Sequence, residues 1–203
     1  MSSKSSQSET IKEAVSAATK ALSGNSELEI SYGGMGSTLP NPPNSIKDLT
    51  SFRGKADSLA CAERYRDKSI RIDSGVDKIN SLIKVMEDAR VEILGSLNFP
   101  GVASNLTAKF EDKCKLNESF EDQEDQLEIA LETWLRRICL PNEIDTKSSL
   151  FLKYWGKLFD DQGTQFKEKV ISSLENQSEF YDLAEDFLKN LNITDEESET
   201  EDN

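Results

Sequence analysis

Residues 76–116 read VDKINSLIKVMEDARVEILGSLNFPGVASNLTAKFEDKCKL and predict two amphipathic helices joined by a short break at 98–101. Apolar side chains in the first half recur three and four residues apart, which places them on one helix face. Pro100 cannot continue that helix but suits the first turn of another. We therefore expect a central antiparallel helical hairpin. The apolar residues are Ile79, Leu82, Ile83, Met86, Ala89, Ile93, Leu94, Leu97, Val102, Leu106, Phe110 and Cys114.

Amphipathic segments with the same spacing occur on both sides of this hairpin. They predict an all-α protein, with a single multi-helix domain over residues 10–193. A minor strand element is expected at 28–32, where apolar and polar residues alternate. Leu158 and Ile171 lie on faces predicted to be buried. The side chains expected to anchor the core are Met86, Phe110, Trp134, Trp155 and Phe187.

Both ends of the chain have polar compositions. Residues 1–9 are rich in serine, and we expect them to be disordered. Residues 194–203 carry six acids, no base and no apolar side chain, so a disordered acidic tail is expected. A further run, 118–125, has five acids. It can be interpreted as a solvated connector, which we favour, or as a site for a hard cation.

Composition narrows the possible functions. The chain has 24 Lys plus Arg against 38 Asp plus Glu, a formal charge of −14, which repels phosphate backbones and argues against a nucleic-acid partner. The sequence contains neither a membrane-spanning apolar run nor a secretory signal. Three widely spaced cysteines do not indicate a disulfide framework. A cytoplasmic location without membrane contact is expected.

Catalytic, cofactor-binding and metal residues are not expected on this chain. It has no histidine, which excludes His-based triads and mixed zinc sites. The glycine-rich loop at 33–38 lacks the lysine of a Walker loop.

A dense basic cluster lies between residues 53 and 71. It can be a solvated face that balances acidic surroundings, the interpretation we favour, or a docking surface that pairs with carboxylates. The candidate docking residues are Arg53, Lys55, Arg64, Arg66 and Arg71.

Several segments in order resemble the N-terminal region of the cobaltochelatase subunit family CobT. The strongest are EDARVEILGS at 87–96 and PGVASNL at 100–106. LEISY at 28–32, LPNPP at 39–43 and RGKADSLA at 53–60 add to the likeness, which covers most of 28–193. Where the family usually has a histidine, this chain has Glu63-Arg64-Tyr65-Arg66.

The resemblance implies a function that the helical pattern alone does not. In the CobT family, the subunit works with an AAA+ ATPase subunit and a large chelatase subunit to insert cobalt into a corrinoid ring, in aerobic cobalamin biosynthesis. That complex uses ATP, magnesium and cobalt. The family's C-terminal adhesion-type metal domain is expected to be absent, with residues 194–203 forming the start of its linker.

Two hypotheses follow from the resemblance. This chain is a non-catalytic adaptor of a cobaltochelatase, or it is a free-standing acidic interaction module that has lost chelatase function.

Overall fold

The computed structural model describes residues 2–117, 126–143 and 148–192. In this part of the chain eight α-helices form, so the all-α prediction is confirmed. Short 3-10 turns precede two of them, at Ile46–Asp48 and Ser148–Phe151. The helices are α1 Ser2–Ser23, α2 Leu49–Tyr65, α3 Asp77–Asn98, α4 Pro100–Asn117, α5 Leu127–Cys139, α6 Leu152–Gln162, α7 Thr164–Ser173 and α8 Gln177–Asn190.

The predicted break between α3 and α4 falls at Phe99, and Pro100 opens α4. Side chains on either side of the break contact each other in the order expected for an antiparallel pair. Lys109 of α4 forms an ion pair with Glu92 of α3, and Leu106 lies beside Gly95. The helical hairpin is therefore confirmed for the part of α3 that follows Ala89.

The described chain divides into two compact units, and the single multi-helix domain over residues 10–193 stays a prediction. Unit 1 takes residues up to 66 together with 90–117, and unit 2 takes 67–89, 126–143 and 148–192. One boundary falls inside α3, between Ala89 and Arg90. Composition reveals boundaries that lie in Pro-, Gly- or Ser-rich linkers, and a continuous helix gives no such signal.

In unit 1, helix α2 packs against both α1 and α4. Cys61 of α2, Val91 of α3 and Leu106 of α4 form a buried cluster, with Leu22 and Tyr65 packed against it. Two glycines permit close packing here. A β-carbon at Gly54 would lie 2.1 Å from the carbonyl oxygen of Asn105, and one at Gly95 would lie 2.3 Å from Cys61 Sγ.

In unit 2, aromatic rings fill the core. The Trp134 ring centre lies 5.7 Å from that of Phe159, 5.5 Å from that of Phe166 and 4.8 Å from that of Phe187. The Phe180 ring adds an edge-on contact with Phe166. These rings come from α5, α6, α7 and α8, so the cluster joins all four helices.

The segment 28–32 forms no strand among the described residues. Its one sheet-like contact is an isolated bridge between Tyr32 and Leu39. Gly33, Gly34 and Gly36 adopt positive φ angles, and the loop that they form brings Leu39 beside Tyr32 in a parallel orientation. The predicted strand element is corrected to this bridge.

The N-terminus also differs from the expectation. Helix α1 begins at Ser2, although the serine-rich composition of 1–9 predicts disorder. The apolar positions of α1 begin only at Ile11, so its first turns are polar, and Lys12 supports them with an i,i+3 ion pair to Glu9 at 3.0 Å. The acidic run 118–125 and the acidic tail 194–203 lie outside the described residues.

Candidate docking surface

The five candidate docking residues do not belong to one unit. Arg53, Lys55 and Arg64 lie on α2, and Arg66 follows its last turn in unit 1. Arg71 lies in unit 2. Closeness in sequence therefore does not make these five residues one surface.

Arg64 already has structural partners. One of its terminal nitrogens donates a hydrogen bond to the Leu22 carbonyl oxygen at 2.8 Å. Its guanidinium carbon lies 5.3 Å from the Phe99 ring centre and 5.9 Å from that of Tyr65. The Leu22 carbonyl belongs to the last turn of α1, where carbonyls lack helical partners and a cation is favoured. Arg64 thus ties the end of α1 to α2.

Arg53 and Lys55 are exposed and lie near acidic side chains. Burial raises the pKa of Asp57, while a hydrogen bond from Asn105 and the charge of Arg53 act in the opposite direction. Hydrogen bonds from Ser51 and Lys115 lower the pKa of Asp112, and the charge of Lys55 contributes. Both cations extend into solvent, so a partner's carboxylates can reach them.

Beneath α2 lies a polar cluster that sequence reasoning missed. Ser58 donates a hydrogen bond to the buried Glu92, which also forms an ion pair with Lys109. Lys109 Nζ lies 3.2 Å from Ser58 Oγ. Beside it, Asn105 donates to Asp57 at 2.7 Å. The available signal was a glutamate inside the apolar run VEIL, a placement that requires a partner once the helix is buried.

This cluster fits a structural role better than a catalytic one. An activated serine needs an adjacent base that can accept its proton. Here Lys109 is paired with the Glu92 carboxylate, and Ser58 donates its hydrogen bond to the same carboxylate, so each group of the cluster is already bonded to another member. The ion pair and the hydrogen bond compensate for the burial of the Glu92 carboxylate, which is a structural role.

The described residues also contain no group of three or more Cys, Asp or Glu side chains placed to hold a metal ion. Burial raises the pKa of Cys61 and of Cys139 to about 12. Both stay protonated near neutral pH, and metal ligation requires the thiolate.

No helix in this described part is long and apolar enough to cross a membrane.

The predicted core anchors have two kinds of environment. Met86, Phe110, Trp134 and Phe187 are buried. Trp155 is half-buried, and its ring stacks on Phe159 with centres 5.9 Å apart.

Three apolar side chains on faces predicted to be buried are exposed, so their predicted burial is wrong. They are Leu97, Leu158 and Ile171. Spacing locates a helix face, but the neighbouring elements determine how much of that face is covered.

A family model described as "Cobalamin biosynthesis protein CobT" matches residues 5–203. This chain belongs to the CobT family. The resemblance seen in the sequence is therefore confirmed, and the match extends over both units. No solved structure matches the chain.

Membership in the CobT family implies a role in cobalamin biosynthesis, as a component of cobaltochelatase. Within this CobT-family chain, some of the candidate docking residues are available to contact a partner, and others form contacts within the fold. Arg53, Lys55 and Arg71 are exposed, whereas Arg64 helps to hold α1 and α2 together. Arg66 is half-buried and caps α2 through its backbone N–H, which donates to the Ala62 carbonyl.

Proposed function

We propose that this chain is a non-catalytic adaptor of an ATP-dependent cobaltochelatase, which inserts cobalt into a corrinoid ring. It docks the AAA+ ATPase subunit and works beside the large chelatase subunit. The observation that carries the proposal is the match of residues 5–203 to the CobT family. ATP, magnesium and cobalt are handled by the complex rather than by a site on this chain.

The chemistry of the available side chains supports an adaptor role. The chain has no histidine, and the thiols of Cys61 and Cys139 have pKa values raised to about 12, so ligands suited to cobalt are scarce. The glycine-rich loop at 33–38 lacks the lysine that nucleotide loops place on phosphate. Positioning partner subunits requires only a folded surface.

The α2 surface is the part of unit 1 that we assign to the ATPase. Arg53 and Lys55 present exposed cations on a chain whose formal charge is −14. A partner surface rich in carboxylates can pair with them, and Arg53 can do so through two parallel hydrogen bonds. Exposed charges are screened beyond about 8–10 Å, so the contact weakens as salt rises.

A binding experiment in low-salt buffer, with the purified chain and the AAA+ ATPase subunit, tests this proposal. We expect a complex in sedimentation velocity that dissociates as salt is added, and no ATP hydrolysis by this chain alone. The Arg53→Glu/Lys55→Glu double variant should weaken binding by about tenfold or more, because it places acids opposite acids. Arg64 is unsuitable for this test, since reversing its charge removes the tie to Leu22.

The matched control is Lys84→Glu/Lys169→Glu, which makes the same charge change at two exposed lysines of unit 2. It should bind the ATPase subunit like the unaltered chain. ATP hydrolysis by this chain alone would overturn the adaptor role. Equal binding by the two double variants would overturn the assignment to α2. Failure to bind the ATPase subunit at low salt would favour the free-standing interaction module.

A further inference from the structure

An apolar ridge lies on the outer side of α6 and the turn before it. The described residues include seven large hydrophobic side chains that are exposed, and three of them, Leu150, Tyr154 and Leu158, are spaced four residues apart. Their exposed fractions are 65%, 52% and 37%. Tyr154 and Leu158 lie one turn apart on the same side of α6, and Leu150 precedes them in the 3-10 turn, so the three side chains extend over about 12 Å along the chain direction.

A basic ridge runs beside the apolar one. Lys153 and Lys157 are exposed and also lie four residues apart. The Lys153 amine lies 5.5 Å from the centre of the Tyr154 ring, which holds a cation over the apolar ridge. The next position with this spacing is Asp161, an acidic residue, so the basic ridge consists of the two lysines. Two exposed lysines flank exposed leucines and a tyrosine on one helix face of a strongly acidic chain.

We propose that this face of α6 docks an amphipathic helix of a partner protein that carries an apolar ridge and an acidic flank. Ridges of residues four apart pack into the grooves of another helix, the commonest mode of helix packing in globular proteins. The partner's apolar ridge covers Leu150, Tyr154 and Leu158, and its carboxylates pair with Lys153 and Lys157.

The charges on this face favour an acidic partner helix over a second copy of the chain and over an anionic membrane. In a symmetric contact with a second copy the same patch lies on both sides, so the lysines at 153 and 157 would face the same lysines of the other copy. An anionic membrane attracts surfaces with clusters of several basic residues, and this face offers two on an acidic chain. An acidic helix needs only local complementarity to the two lysines. This inference does not depend on docking of the ATPase subunit by α2.

The test uses the full chain and a designed peptide. The peptide is an amphipathic helix of about 14 residues, four turns long, with a leucine ridge flanked by glutamates. A second peptide has the same leucines flanked by lysines. Trp155 reports binding, because it is half-buried and one turn from Leu158, whereas Trp134 is fully buried. The glutamate peptide should reduce acrylamide quenching of Trp155 and shift amide resonances of α6, more strongly at low salt than at high salt.

Two double variants separate the apolar and the charged contributions. Tyr154→Ser/Leu158→Ser should weaken binding of the glutamate peptide by about tenfold or more, since few central residues dominate such contacts. Lys153→Glu/Lys157→Glu should reverse the preference, so that the lysine peptide binds better. The matched control Lys169→Glu/Ile171→Ser changes an exposed lysine and an exposed apolar residue on α7, and should leave binding unchanged.

Equal binding of both peptides, absence of binding, or loss of binding in the α7 control would overturn the proposal. Self-association that is abolished by Tyr154→Ser/Leu158→Ser would assign the face to a second copy instead. Binding to vesicles of anionic phospholipid with no response to the glutamate peptide would assign it to a membrane surface. No chelatase subunit takes part, so failure here leaves the proposed function intact, and the reverse also holds.

Discussion

The two units hold their helices together by different interactions. In unit 1, Gly54 allows α2 and α4 to approach closely, and polar side chains form hydrogen bonds between these two helices. In unit 2, rings around Trp134 fill the space between four helices. Close backbone packing has little tolerance for added volume, whereas an aromatic core has little tolerance for lost volume. The comparison therefore predicts which substitutions each unit tolerates.

Removing the central ring should have the largest effect. Trp134→Ala deletes a side chain that is fully buried and contacts three phenylalanines, so we expect a loss of about 3–5 kcal/mol in the free energy of unfolding. Urea titration followed by circular dichroism measures it, and hydrogen exchange should locate the loss in α5–α8.

Trp155→Ala is the control for that experiment. Trp155 is half-buried, so its removal should cost clearly less than the removal of Trp134. Equal losses for the two tryptophans would mean that the Trp134 cluster does not dominate the core of unit 2.

Adding a single methyl group to unit 1 should have the next largest effect. Gly54→Ala places a β-carbon 2.1 Å from a backbone oxygen of α4, so the helices must separate. We expect a destabilisation of about 1–3 kcal/mol, with faster amide exchange in α2 and α4.

Gly101→Ala makes the same chemical change where no atom lies within 4 Å of the new β-carbon. It should leave stability unchanged or raise it by up to about 1 kcal/mol, because alanine favours the helix. If thermal denaturation showed the two alanine variants to be equally stable, the close approach of α2 to α4 would not be needed for the fold.

The smallest expected effect on stability comes from the charges of two aspartates, one in each unit. Burial raises the pKa of Asp57 above its ordinary value of 3.8, so its ionised form is disfavoured in the folded state. Burial acts in the same direction on Asp160, but the hydrogen bond from Trp134 and the charges of Arg137 and Lys167 lower its pKa overall. Ionised Asp57 therefore opposes folding at neutral pH, and ionised Asp160 favours it.

Asparagine variants should shift stability in opposite directions at neutral pH. Asp57→Asn should stabilise the fold, and its advantage should shrink as pH falls toward 3.8 and the unaltered carboxyl takes up its proton. Asp160→Asn should destabilise, and its deficit should shrink as pH falls below 3.8, through the lowered pKa. Each effect should be less than about 1 kcal/mol, because both groups are partly solvated. Urea titrations between neutral and acidic pH would contradict this if both variants shifted the same way.

The sequence alone determined the helical class, the break at Phe99 with Pro100 opening α4, and the identity of most core residues. These properties depend on local geometry, because a helix places residues three and four apart on one face and proline cannot continue it. The ordered CobT-like segments also gave the family, which the match over residues 5–203 confirms.

Only the tertiary structure decided how those helices are used. It placed Glu92 against Ser58 and Lys109, divided the basic cluster between two units, and gave Arg64 the Leu22 carbonyl as a partner. It also left Leu158 exposed on a helix whose apolar spacing predicts burial. Which side chains meet across helices, and which face stays uncovered, depend on contacts between segments distant in sequence, and helical periodicity does not encode those contacts.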